Sequence, residues 1–264
     1  MCTEAAGAAR EDMTGGYGNP SSGCALGQAA AAGLKEHRAA VAGRLGCGPE
    51  ELMFTSCGTE GDNWAVRAAA EYGRRKGRHI IPPAIGHAAV LEPVKVLAAQ
   101  GYEVTYLKPD RSGHVSPDAL RAALRPDTVL VSMMLVNNEL GTVLPVAQAA
   151  RLVRRLGSSA LIHCDGVQGF LTIPFPPAEL GVDLLTVSGH KIHAPKGIGA
   201  LYIRRGLKLP PLIRGGGQEE GLRSGTEPTA PIAAFAAAVR AGAAPQEAAH
   251  RPIAGLTADT LARL

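Results

Sequence analysis

Lys191 lies in Ser188-Gly189-His190-Lys191, directly after the apolar run Leu184 to Val187 and shortly before Pro195-Lys196-Gly197-Ile198-Gly199. A lysine held at the end of a buried strand and framed by glycines loses hydration, and a less hydrated amine is a usable nucleophile toward a carbonyl carbon. Other reactive groups stand at similar places. Gly58-Thr59 follows the run Leu52 to Thr55 and opens a helical stretch, a geometry that offers backbone N–H groups and a hydroxyl to an anion. His87 follows a strand and precedes a helix. Asn137-Asn138-Glu139 follows Leu130 to Val136, and His163-Cys164-Asp165 ends another apolar run with Gln168 one turn further on. In an open α/β sheet, ligands bind beyond the carboxyl ends of the strands, which is where these residues fall.

An amine, a carboxylate, an imidazole, amides and an anion cup together suit pyridoxal phosphate. The lysine carries that cofactor as an imine, a carboxylate keeps the ring nitrogen protonated, and donors hold the phosphate. Each residue also has a plain structural use: Asp165 as a helix cap, His87 as a cap or core histidine, Gly58-Thr59 as a turn. Lys196 rivals Lys191 on spacing alone. His190 and His193 are spaced i, i+3, but no third ligand of suitable spacing accompanies them, so a metal site is not expected. There is no G-x-S-x-G, G-x-G-x-x-G or Walker sequence.

The elements that must position these groups alternate. Strands are expected at 52–55, 79–81, 104–107, 128–133, 160–164 and 184–187, and helices at 29–45, 60–72, 88–100, 117–124, 146–156 and 231–239. Ser116 before Pro117 reads as an N-cap followed by a first-turn proline. The strands are short and continuously apolar, as in a mainly parallel sheet covered on both faces. Residues 1–22, rich in Gly, Ala and Ser, read as an N-terminal arm, and the tail after Gly242 reads as the start of a further helix.

Composition narrows the function classes. The 264 residues are 46% hydrophobic and 19% charged with 4% aromatics, a globular composition with an aliphatic core. The net charge of +4 is spread out, and the basic run Arg74-Arg75-Lys76-Gly77-Arg78 lacks interleaved aromatics, so nucleic-acid binding is not expected. The five cysteines show no C-x-x-C, and no run is long enough to span a bilayer. A reducing cytoplasm fits.

Several motifs resemble those of the cysteine desulfurases of the NifS/IscS type, which are class V, fold-type I enzymes dependent on pyridoxal phosphate. They are Gly18-Asn19-Pro20-Ser21-Ser22, Phe54 to Asn63 (FTSCGTEGDN), Val136 to Gly141 (VNNELG), His163 to Gln168 (HCDGVQ), Ser188 to Lys191 (SGHK), Gly215 to Glu219 (GGGQE) and Arg223 to Thr226 (RSGT). The similarity runs in order from about Gly18 to Val239.

The resemblance implies a fold-type I large domain over 23–240, a mostly parallel sheet sandwiched by helices, after an arm at 1–22. The stretch 241–264 is then the truncated start of a small C-terminal domain. It implies that Lys191 carries the cofactor, which settles the competition with Lys196. Asp165 then pairs with the ring nitrogen and Gln168 with the ring hydroxyl, while His87 stacks on the ring and moves protons. Gly58, Thr59, Ser188 and His190 hold the phosphate, and Asn138 lies near the cofactor and the substrate carboxylate. Thr226 reaches the phosphate of a neighbouring subunit, which implies a homodimer. The implied reaction takes sulfur from L-cysteine, leaving L-alanine and a persulfide for iron–sulfur cluster assembly or another sulfur acceptor. A selenocysteine lyase or a non-catalytic cofactor-binding fragment shares the same scaffold motifs. None of the five cysteines lies where the family carries its sulfur-accepting cysteine, and Cys57 and Cys164 read as packing residues.

Overall fold

A computed structural model of the chain describes residues 1–242. In chain order the elements are α1 (Thr3–Gly15), α2 (Ala25–Leu45), β1 (Leu52–Thr55), α3 (Gly58–Gly73), β2 (His79–Ile81), α4 (Ala88–Ala99), β3 (Glu103–Val104), α5 (Pro117–Ala123), β4 (Thr128–Met134), α6 (Val146–Arg155), β5 (Leu161–Asp165), α7 (Pro177–Leu180), β6 (Leu184–Ser188), β7 (Gly199–Ile203) and α8 (Thr229–Ala241). Single turns of 3-10 helix cover Pro49–Glu51, Gly189–Ile192 and Glu219–Gly221.

The strands form one sheet in the order β1-β7-β6-β5-β4-β2-β3. The pairs β6–β5, β5–β4, β4–β2 and β2–β3 are parallel, whereas β7 is antiparallel to both of its neighbours. Because β7 reverses direction twice, β1 runs the same way as β6. The carboxyl ends of β1, β2, β4, β5 and β6 therefore share one edge. Cross-strand register makes this concrete: Gly199 pairs with both Thr55 and Ser188, and Asp165 pairs with both Met134 and Thr186.

Both faces of the sheet are buried, which explains the unbroken apolar strands. Alternate residues serve opposite layers. Ala200 and Tyr202 of β7 join the cluster containing Val41, Phe170 and Phe235, while Leu201 and Ile203 join that of Trp64, Val90 and Val94. The helices α3 and α4 thus cover one face, and α2, α6 and α8 the other. The helix α6 shows the pattern clearly, with Ala149, Ala150, Leu152 and Val153 buried and Arg151, Arg154 and Arg155 not.

Most elements fall where the sequence places them. Ser116 caps α5 through a bond that Asp118 N–H donates to its Oγ at 3.1 Å. Three places differ. Residues 3–15 are helical, packed on α8 with Ala5 fully buried, so this part of the expected arm is a core element. Its start is pinned by Cys2 N–H donating to the carbonyl of His193 at 2.8 Å, just beyond Lys191. The second apolar run after Lys191 is the strand β7, and the expected strand at 104–107 shrinks to the two residues of β3. The expected helical start after Gly242 lies outside the described residues.

Candidate functional site

The cleft at the shared strand edge is lined by Cys57, Gly58, Thr59, Asp62, His87, Met134, Asn138, Asp165, Val167, Gln168, His190 and Lys191. Eight of the residues singled out above meet there: Gly58, Thr59, His87, Asn138, Asp165, Gln168, His190 and Lys191. Lys196 is not among the lining residues.

The anion end is built on the start of α3. Its first-turn N–H groups have no carbonyl partner within the helix, and the helix dipole adds positive potential there. Gly58 opens this turn. A Cβ at Gly58 would lie 2.8 Å from Val167 Cγ2 and 3.3 Å from Ser188 Cβ, so a side chain would fill the cradle. Ser188 is fully buried, and its Oγ pairs with His190 Nδ1 at 2.9 Å. Its surroundings, then the charges of Lys191 and Lys196, hold His190 below the ordinary histidine range. Thr59, His87 and Lys191 are exposed to the cleft and solvent. The expected desolvation of Lys191 is therefore absent in this open site, because the turn Gly189–Ile192 carries the side chain outward from the sheet edge.

His87 caps α4, with Ala89 N–H donating to its Nδ1 at 3.0 Å. That bond makes Nδ1 an acceptor and leaves the proton of the neutral ring on Nε2. Capping and cleft lining are thus compatible uses of one ring. The two neighbouring asparagines divide their work. Asn137 is buried, its Nδ2 donates to the carbonyl of Ile85 at 2.9 Å, and its Oδ1 accepts from Glu139 and Leu140 N–H. This clamps the loop and leaves the exposed Asn138 in the cleft.

Asp165 forms part of the floor and is 4% exposed. Val167 N–H donates to its Oδ1 at 3.0 Å. Burial, then the nearby Asp62, pushes its carboxyl up to about 7 against the pull of Val167, His163 and His87. Asp62 is equally buried and is likewise pushed up to about 7, by burial against a hydrogen bond from Thr186. Asp62 lies within the motif Phe54 to Asn63, where the sequence alone assigns it no role. The signal was there: Asp62 falls on the buried stripe Gly58, Gly61, Asp62, Ala65, Ala69 of α3, where a carboxylate is out of place. Thr226 and Ser188 do not line this cleft. Thr226 lies in a separate groove with Phe54, Ser56, Arg223 and Glu227. Cys164 is fully buried, with its thiol pushed well up by burial, and Cys24 is exposed at the start of α2, outside the cleft.

A mostly parallel sheet between helix layers, with this group of residues at its strand ends, defines the large-domain architecture of fold-type I transferases. The class-V aminotransferase family matches residues 2–264, and the chain belongs to that family. The chain is 42% identical over 241 residues to a cysteine desulfurase IscS of Methanosarcina thermophila, covering 91% of this chain and 59% of that relative. It is 47% identical over 215 residues to a cysteine desulfurase of Nostoc, covering 81% of this chain and 53% of the relative. A solved NifS-like protein superposes with a TM-score of 0.96 at 38% identity, covering 99% of this chain and 72% of the other. The chain thus spans a little over half the length of the curated relatives it matches.

Proposed function

We propose that this chain binds pyridoxal phosphate and forms the cofactor-holding part of a desulfurase that takes sulfur from L-cysteine. The observation that carries the reading is the meeting of Lys191, Asp165, His87 and the start of α3 in one cleft. The donor set fits the group at each end: a side-chain-free cradle at Gly58 for a phosphate, and a buried carboxylate for a cationic ring nitrogen. When bound, the cofactor supplies an aldehyde for an amine and a ring that accepts electrons from the substrate α-carbon.

The residues then divide the work. Lys191 would supply the amine that tethers the cofactor. His87 would stack on the ring from the cleft wall, with the proton of its neutral form on Nε2 available for transfer. Gln168 donates to the ring oxygen, and Asn138 orients the substrate carboxylate. Thr59, Gly58 and His190 would hold the phosphate, with the buried Ser188 supporting that end through its bond to His190. A thiolate would attack the sulfur of L-cysteine as its carbon–sulfur bond breaks, the bonding electrons and a proton staying with the fragment that becomes alanine and the thiolate becoming a persulfide for an acceptor such as an iron–sulfur scaffold. The chain acts as a homodimer in which Thr226 of one copy supports the phosphate site of the other. A reducing cytoplasm suits its free cysteines. Among the described residues no helix is long and apolar enough to cross a membrane.

The test is spectroscopic first. The purified chain is mixed with pyridoxal phosphate, passed through a desalting column and scanned for a retained visible absorption band. Retention that is lost in Lys191→Ala supports the assignment, and retention that survives the substitution overturns it. Addition of L-cysteine with assay of alanine and sulfide then tests the reaction. Retained cofactor without alanine would remove the desulfurase reading while leaving the binding one.

A further inference from the structure

Below Asp165, on the same side of the sheet as α3, lies a closed polar cluster that the proposed reaction does not use. Asp62, His163, Ser132 and Thr186 are all at most 1% exposed. His163 Nδ1 pairs with Ser132 Oγ at 2.9 Å, and its Nε2 lies 3.2 Å from Thr186 Oγ1 and 3.4 Å from Asp62 Oδ1. Thr186 hydrogen-bonds the Asp62 carboxyl, but its Oδ1 has no well-formed hydrogen bond, and Asp62 lines the cleft. An orphaned buried carboxylate oxygen costs stability, so its retention beside a ligand site asks for a use.

The fold brings Asp62 there deliberately close. Gly61 lets α3 press on β6, since a Cβ at that position would lie 2.7 Å from Thr186 Cγ2. His163 and Asp165 alternate along β5 and face the same side, so Asp62 looks at both. His163 is fully buried and pushed down to about 4 by that burial, so near neutral pH it is a neutral ring that offers Asp62 no counter-charge. The other groups facing the pair are Ser132 of β4, Thr186 of β6 and His87 at the start of α4, while Cys164, between His163 and Asp165, points to the opposite face of the sheet. Among the described residues no lysine or arginine pairs with Asp62 or Asp165, whereas a third buried aspartate, Asp183, holds Arg154 and Arg204.

We propose that Asp62 and Asp165 form a coupled carboxylate pair on the cleft floor, in which Asp62 is a positioning residue whose charge opposes that of Asp165 until a cationic ring nitrogen occupies the cleft. The inference rests on the cofactor reading above. Two buried carboxylates without a cation compete for ionisation, so the pair keeps a proton in the empty site. A ring N–H⁺ against Asp165 supplies the missing positive charge, and the pair then gives up that proton to solvent. Ligand capture is thereby coupled to proton release, and Asp62 sets how strongly.

The test uses pyridoxamine 5'-phosphate, which has the ring and phosphate but no aldehyde, so Lys191 chemistry does not contribute. Calorimetric titrations of the cofactor-free chain in two buffers of different ionisation enthalpy count the protons released, at about pH 6 and about pH 8. The wild-type chain is expected to release most of a proton at the lower pH and little at the higher, with affinity rising across the interval. Asp62→Asn is expected to release several-fold less at the lower pH and to show a correspondingly flatter affinity profile. The ligand's own ionisations are common to both proteins and cancel in the comparison. Wild-type binding with no proton release overturns the inference without any variant, and so does an Asp62→Asn profile that matches wild type. A wild-type chain that binds no pyridoxamine phosphate at either pH overturns the cofactor reading itself.

Discussion

Gly58 and Asp62 sit four positions apart on α3 and do opposite things for the cleft: one keeps space empty, the other fills it with charge. Gly58→Ala forces a methyl into Val167 Cγ2 at 2.8 Å with Ser188 close behind, and neither neighbour is a flexible side-chain end. The overpacking is worth about 1–3 kcal/mol and falls on the phosphate cradle. The expected outcome is folded protein by circular dichroism whose affinity for pyridoxal phosphate drops on the order of tenfold or more. Unchanged affinity would show that the start of α3 is not the anion site.

Asp62 also gives a pH prediction for the cofactor-free chain. Its carboxyl is raised in the folded state to about 7, from an ordinary value of 3.8. Between those values the folded chain binds more protons than the unfolded one, so this group's contribution to stability falls as pH rises through the window. His163 acts in the other sense. Held down to about 4 from 6.5, it makes stability rise with pH up to its unfolded value. Asp62→Asn removes only the first of these and relaxes Asp165 as well. The melting temperature of the variant relative to wild type is therefore expected to climb from about pH 5 to about pH 8. A constant difference across that range would mean that Asp62 is already ionised in the acid arm.

Two ion pairs hold the loop after β7, Arg223 with Glu60 and Arg38 with Glu219. Arg38 of α2 makes a two-point contact with Glu219, both bonds 2.7 Å, donates to the carbonyl of Leu52 at 2.6 Å, and lies over the Phe54 ring at 4.7 Å. Glu219 Oε2 also accepts from Phe54 N–H at 2.8 Å. This binds the Gly215–Thr226 segment to β1, even though Glu219 and Glu220 both adopt positive φ, at 48° and 57°. Glu219→Ala leaves the Arg38 guanidinium and a strand N–H without their partner. The expected cost is about 3 kcal/mol, at the low end for a buried pair because Arg38 keeps some solvent contact. Denaturant melts would read it, and hydrogen exchange at Phe54 N–H would separate a local opening from a global loss.

These elements also show what the sequence made readable. Strands β1 and β2 fall at the predicted residues, because short apolar runs bounded by turn residues suit a sheet buried on both faces. The start of α1 could not be read. Its sequence, TEAAGAAREDMTG, has no apolar stripe, no capping side chain, and buries only Ala5 and Ala9, so its helicity comes from the close approach of the more alanine-rich α8. Strand β7 was visible as an apolar run but ambiguous in type, since its antiparallel pairing depends on the ten-residue connection through Lys191. The cleft itself was largely readable because each of its groups ends a strand. Asp62 was not, because its neighbour His163 comes from 101 positions later in the chain and only the packing of α3 on β5 and β6 joins them.

The placement of Thr226 connects the cleft to the assembly. It lies in a groove with Phe54, Arg223 and Glu227, apart from the cleft that Lys191 and Asp165 line, so it has no evident part in the phosphate site of its own chain. Arg223 in the same groove is committed to Glu60, with Nε to Oε1 at 2.9 Å, which stiffens the segment that presents Thr226. Such a residue serves a phosphate only if a second copy brings its own α3 start to this groove. The affinity for pyridoxal phosphate should then depend on protein concentration. Sedimentation velocity followed at the cofactor's absorption band is expected to place the retained cofactor on the dimer, with loss on dilution as monomer appears. Thr226→Ala is expected to weaken cofactor affinity by about 1 kcal/mol, the value of one hydrogen bond, while leaving the melting temperature of the cofactor-free chain unchanged. Cofactor that travels with monomer at undiminished affinity would mean that each cleft is complete within one chain.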